Sequence, residues 1–467
     1  MIDLPHGPLA LAPYPYPYQA ALSVSSDIDS ANLARLRAVH SLFCGNDLVR
    51  RGSASWQALG LSPQSRWYDK EQDGIPGLGL PLADSFFLVG DPTTLGMYRY
   101  QPQHRRFIDD EQDGENCAAF IRLWLQQGRI DSFHAFLHYT RVQIEPLLTA
   151  FYHWCEQEAV TKPSVWLNHS AGVTPTGLCP RSLQPNRLVR CARLAARNLL
   201  APLLGCQPYP LRRAWVRYQG ATPGSPYYIN DLLAGNGLRY VWLNTADLHR
   251  DQICLPQSEQ RGRLTILQPL RMDDGTHYYR FARCYGGTPT HTRDGLYLAE
   301  SRFGIDSSQL ISEASLKHLC DARGTCILHT HWTHPRSMPI SDDTIARFRL
   351  LQRWQQQGKI WLAPTAKLLE WTRRVTFLDF SCSLQGSMLC IEIHGVADPL
   401  FGTQRLAPEQ LDGLCFQTSA SQSRITVALS GHALSPAQVQ RAGNWLWLTT
   451  ARRNANSPGT PSQTVAA

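Results

Sequence analysis

Ala21-Leu-Ser-Val-Ser-Ser-Asp27-Ile-Asp29 is the stretch on which the reading of the fold turns. Small and apolar residues run up to Ser26 and then give way to two carboxylates, the pattern of a strand buried on both faces that ends at a polar edge. A helix is expected directly after it. Leu33, Leu36, Val39 and Leu42 recur at three-residue intervals, which gives one apolar stripe, and Ser30 can cap the first turn.

The same strand-then-helix order recurs along the chain. Strands are expected at 85–89, 130–133, 164–168, 213–218, 238–243, 325–328 and 360–363, with helices at 117–126, 146–158, 188–204, 229–234, 342–357 and 367–371. Repeated βα units with short apolar strands argue for an α/β fold on a parallel sheet, open or closed into a barrel. In a barrel the strand ends gather any chemistry on one face. From Val375 the texture changes to alternating strands without long helices, so residues 375–453 are expected to form a small antiparallel β-domain behind a unit spanning 21–374. Residues 1–20, with the Tyr-Pro repeat at 13–18, read as an extended arm, and 454–467 as a disordered tail. A hairpin insertion is expected over 263–283, centred on Asp273-Asp274-Gly275.

Composition narrows the classes. Apolar residues make up 43% and charged ones 18%, too apolar a balance for a disordered chain and enough for a sizeable core. The formal charge of +8 is spread without a run of like charges, so nucleic acid is not expected as a partner. A diffuse positive excess suits the approach of an anionic or lipid-linked sugar. Thirteen cysteines include no Cys-x-x-Cys pair, which points to reduced core thiols rather than a structural zinc site. Neither a leader-like start nor a transmembrane run of about 20 apolar residues is seen, which favours the cytoplasm.

Strand alternation puts Asp27 and Asp29 on one face, where one carboxylate can hold a metal ion and the other take a proton; Asp29 also suits a helix cap. His134 and His138, four residues apart just past another strand, can grip one ion on a helical turn, although this spacing alone is often incidental. His329 and His331 alternate at the end of a late strand, where an imidazole can protonate a leaving group near neutral pH, or form a polar cluster with backbone groups. His334 reads as loop surface. Asn168 and His169 end a strand beside Gly172, suited to contact a sugar, to replace a ligand, or only to organise a turn. Trp242 and Trp332 lie near strand ends, where aromatic faces can stack on sugar rings or pack in the core.

In this order the elements resemble the polysaccharide deacetylase superfamily, the group related to the rhizobial chitooligosaccharide deacetylase. Ser26-Asp27-Ile28-Asp29 resembles its paired aspartates, and His134 with His138 its His-x-x-x-His motif. Arg217-Tyr-Gln-Gly220 echoes its arginine motif, Gly237 to Trp242 with Asp247 its tryptophan–aspartate motif, and Ile327 to His331 its closing histidine strand. This chain departs from the pattern in splitting the aspartates with Ile28 and in lacking the usual proline within the arginine motif Arg217-Tyr-Gln-Gly220. The resemblance implies a distorted parallel (β/α)7-type barrel and a zinc-like divalent ion. On that reading the ion sits on Asp29, His134 and His138, Asp27 is the general base oriented by Arg217, and His331 is the acid with His329 in reserve. The expected reaction is removal of an acyl group, foremost N-acetyl, from a sugar. A glycoside hydrolase with two carboxylates, or a carbohydrate-binding protein of this fold without turnover, are the other readings.

Overall fold

A computed structural model describes residues 9–90, 95–112, 114–134, 139–168, 220–242, 266–272, 274–284, 289–291, 297–299, 311–418 and 424–449. Among the described residues its centre is an eleven-stranded, largely parallel sheet. The Ala20–Ser26 strand is buried along its whole length, as expected for a strand covered on both faces. Thr325–Thr330 lies parallel to it in register from Ala21 opposite Thr325 to Ser26 opposite Thr330. Its other edge is shared, with Ile360–Leu362 beside its first residues and Ala83–Gly90 beside Ser25 and Ser26.

From there parallel pairing continues through Ala83–Gly90, Ile130–His134, Val165–Leu167, Tyr240–Trp242 and His277–Phe281. The chain past Phe281 then reaches the Thr325–Thr330 strand through an isolated bridge. Cys284 N donates to Ile327 O at 2.7 Å, and His329 N donates to Cys284 O at 2.9 Å. The parallel arrangement brings the carboxyl ends of these strands to one edge, which is where ligands are held in sheets of this kind.

The hairpin expected around Asp274 is present, with Leu267–Arg271 antiparallel to His277–Phe281 and Gly275 at φ 86° in the turn. It is not an insertion, because its second arm is itself a member of the parallel sheet. The Leu33–Phe43 helix is capped by Asn32, whose Oδ1 accepts from Arg35 N at 2.8 Å, and not by Ser30. Ser30 instead makes the turn from strand to helix in the left-handed region, at φ 55°. The helix expected to begin at Pro146 starts earlier, over Arg141–Gln157, because Thr140 N finds Gln143 Oε1 at 3.0 Å and packing tolerates the proline inside. The expected helix 188–204, strand 213–218 and tail 454–467 lie outside the described residues.

Beyond residue 375 the strands appear where alternation placed them, in two sheets. One, of five strands, contains Leu378–Gln385, Met388–Asp398 and Arg424–Leu429. The last two are parallel, so this region is mixed rather than wholly antiparallel; the intervening chain crosses to the other sheet before returning. That second sheet, of four antiparallel strands, takes in Leu9–Leu11 beside Cys415–Thr418, so part of the N-terminal arm belongs to the C-terminal region. A continuous apolar core joins Leu22 and Leu362 of the parallel sheet to Leu389, Ile391 and Leu446. Among the described residues no helix is long and apolar enough to cross a membrane.

Candidate functional site

Asp27 follows the end of the first parallel strand, and its N–H still donates to Thr330 O at 2.9 Å. Its carboxylate is buried, a costly position for a lone charge. Arg283 resolves that cost: Nη1 donates to Oδ1 at 2.6 Å and Nη2 to Oδ2 at 3.1 Å. The guanidinium is itself fully buried, donates from Nη1 to Ser25 Oγ at 3.2 Å, and lies 3.5 Å from the centroid of the Trp242 ring. Burial pushes the Asp27 carboxyl up, but Arg283 and the nearby imidazoles of His134 and His329 outweigh it and hold the group well below the usual carboxylate range.

His329 Nε2 stands 3.2 Å from Asp27 Oδ2. Burial and the Arg283 charge push this imidazole down to about 3, against the pull of Asp27, so the ring is neutral near pH 7. A neutral ring suits a hydrogen-bond donor to Asp27 or a metal ligand, and not the reserve acid expected for it. His331, two residues on, faces both aspartates, with Nε2 3.8 Å from Asp27 Oδ2 and 3.5 Å from Asp29 Oδ2.

His134 completes the group from the end of the Ile130–His134 strand. Its Nδ1 is 3.0 Å from Leu167 O and its Nε2 is 3.1 Å from Asp29 Oδ1. Both neighbours accept hydrogen bonds. The ring therefore fits this place either with two protons, or with Nδ1–H given to the carbonyl and the Nε2 lone pair turned, together with Asp29, onto a cation. Ligand atoms of Asp27, His329 and His331 all lie within 4.8 Å of one another, and this Asp/His/His group can hold a metal ion. The donor set of carboxylate oxygen and imidazole nitrogen fits a divalent cation.

The structure thus brings together Asp27, Asp29, His134, His329 and His331. His138, His169 and Arg217 lie outside the described residues. Asn168 is buried, its Oδ1 accepting from Trp166 Nε1 at 3.3 Å. The two tryptophans expected to stack on a sugar are buried instead. Trp242 lies beneath Arg283, and Trp332 donates from Nε1 to Asp84 Oδ2 at 2.8 Å. His334, expected on the surface, is also buried, and its N–H donates to His331 O at 3.0 Å.

The residue that sequence reasoning missed is Arg283. The hairpin is legible in the sequence, but reading it as an insertion gives no reason to look for a site residue just past its second arm, which the parallel sheet carries to the site. A signal was present in Arg283-Cys-Tyr-Gly286-Gly287-Thr-Pro289, an arginine leading into a Gly/Pro-rich turn, the pattern assigned to Arg217. No family model matches the chain, and neither the curated proteins nor the solved structures provide a match.

Proposed function

We propose that the chain is a metal-dependent hydrolase that removes an acyl group, foremost N-acetyl, from a sugar, on a sheet curled as a distorted (β/α)7-type barrel. The observation that carries this reading is the placement of His134 between two acceptors, with Asp29 on the side facing His331. The parallel pairings from Ala20–Ser26 round to the Cys284 bridge support the barrel.

Two seats for the ion are available: Asp29 with His134, joined by His138 as expected from the sequence, or Asp27 with His329 and His331. The Asp29 side is the better one, because the guanidinium on Asp27 already supplies a positive charge and repels a second. Imidazole and carboxylate donors suit zinc. When bound, such an ion supplies Lewis-acid polarisation of an acyl oxygen and a lowered water pKa.

This chain's own residues do the rest. Asp27, ionised and fixed by Arg283, takes a proton from the attacking water. His331, facing both carboxylates at the edge, gives one to the departing amine. The diffuse positive charge of the chain suits an anionic or lipid-linked glycan.

The test is zinc loading of the full chain, with metal content and acetate release from N-acetylglucosamine oligomers measured on wild type and on His134→Ala. Stoichiometric zinc and acetate release in wild type alone support the proposal. Equal metal content in both proteins, or no acetate from wild type under any metal loading, would count against it.

A further inference from the structure

The turns that carry Asp29 and His331 are spanned by one side chain from a third element. Arg35, in the first turn of the Leu33–Phe43 helix, donates from Nη2 to Ser30 O at 2.7 Å and from Nε to Thr333 O at 3.0 Å. Ser30 directly follows Asp29, and Thr333 lies two residues past His331. The strands below are joined by the bond from Asp27 N to Thr330 O, and past that rung the guanidinium crosses the gap between the two turns.

Three further details fit a built arrangement. Ser30 sits at φ 55°, a conformation that serine holds only where its surroundings demand it, and this turns its carbonyl onto Arg35. Asn32 fixes the base of the Arg35 side chain by capping Arg35 N. Five residues along the same helix, His40 Nε2 meets Asp84 Oδ2 at 2.9 Å, the oxygen that also receives the Trp332 indole at 2.8 Å. The helix therefore holds the 331–333 turn at two points, one on either side of the Trp332–Thr333 peptide.

We propose that Arg35 is a positioning residue for the cation seat: by tying the Ser30 and Thr333 carbonyls together it fixes the turn that carries the ligand Asp29, and with it the affinity for a divalent ion, and holds that ligand at its distance from the His331 acid. The inference rests on the metal reading above. Only a planar fork with separated donors meets two carbonyls at once, so lysine replaces it in part.

The experiment uses the full chain, metal-free, in wild type, Arg35→Ala and Arg35→Lys. Zinc affinity is read by competition with a chelator, cobalt(II) coordination by its visible absorption, and the two turns by hydrogen exchange over residues 28–31 and 331–334. Arg35→Ala should weaken zinc by about tenfold or more, the scale of losing a group that orients metal ligands. It should also alter the cobalt spectrum and quicken exchange in both turns together, while the Cys117–Gln126 helix keeps its protection. Arg35→Lys should recover part of the zinc affinity. Unchanged zinc affinity and cobalt spectrum in Arg35→Ala overturn the proposal, even if exchange quickens, since Arg35 would then be merely structural. Should Arg35→Ala fail to fold, zinc affinity in Arg35→Lys below that of wild type supports the proposal, and affinity equal to it overturns it. Wild type that binds neither ion sinks the metal reading and this proposal with it, an outcome distinct from wild type and Arg35→Ala binding zinc equally well, which overturns the Arg35 proposal alone.

Discussion

Arg373 and Asp398 form a buried ion pair, Nη1 to Oδ2 at 2.8 Å, between the last helix of the parallel-sheet unit and the first of the two β-sheets that follow it. Each is satisfied further. Arg373 also reaches Glu370 and Gln404, while Asp398 Oδ1 accepts from Tyr279 Oη at 2.9 Å and from the Leu400 and Phe401 N–H groups. Because Tyr279 belongs to the parallel sheet, three parts of the chain meet in one network. Asp398→Ala leaves a buried guanidinium short of its partner and should cost about 3–5 kcal/mol. Urea unfolding of the full chain checks this, and a loss under about 1 kcal/mol would show that the pair adds little. A chain ended near residue 374 should be insoluble or unfolded, since it also uncovers the apolar core shared by Leu22 and Leu389.

Arg283→Met should expose the dependence of Asp27 on its partner. The folded-state pKa of Asp27 lies below its unfolded value, so the pair contributes stability that is present above the unfolded pKa near 4 and lost as pH falls through the folded one. Without the guanidinium, acid unfolding should begin at higher pH than in wild type. Circular dichroism along an acid titration reads the midpoint, and coincident midpoints would refute the assignment.

His40 gives the opposite sign. Burial works against its charge, but the neighbouring Cys44 sulfur and the Asp84 carboxylate raise it to about 9. Its contribution is complete below the unfolded value near 6.5 and disappears as pH rises through about 9. Thermal unfolding of wild type should therefore lose stability between these values. His40→Gln should lie lower throughout and be flatter across the same window. Parallel curves for the two proteins would mean that His40 is neutral in the fold.

At the site, Asp29→Asn should weaken metal binding, because a neutral amide oxygen is a poorer partner for a divalent cation than a carboxylate. Asp27→Asn should keep the ion and slow acetate release by roughly a hundredfold or more, the scale of losing a general base. Zinc content and initial rates on the two variants decide between the seats: metal lost from Asp27→Asn and kept by Asp29→Asn reverses the assignment.

Local pattern made much of this legible. The first strand, the helix behind it and the late histidine strand could be read from alternation and helical spacing, because buried strands and amphipathic helices leave short-range marks. Asp27, Asp29, His134 and His331 followed, since each stands at a strand end. What escaped was set by partners far away in the chain. Nothing near Trp332 announces that Asp84 receives its indole, and nothing near Trp242 announces that Arg283 covers it, so the sequence leaves both rings open between a sugar-stacking face and the core. Pro146 misled in a different way: proline favours a helix start, and only the Thr140–Gln143 cap shows that the turn had already begun.

The pairing of Leu9–Leu11 with Cys415–Thr418 bears on how the protein is made. The earlier strand leaves the ribosome about 400 residues before its partner, and long-range pairing of this kind is slow to form. Until Cys415–Thr418 is made, the strand lacks the partner it has in the fold, and an edge of that kind is a template for pairing with other chains. The four-stranded sheet is complete only once Trp445–Leu448 has emerged, so nascent chains shorter than that should be the species that chaperones hold.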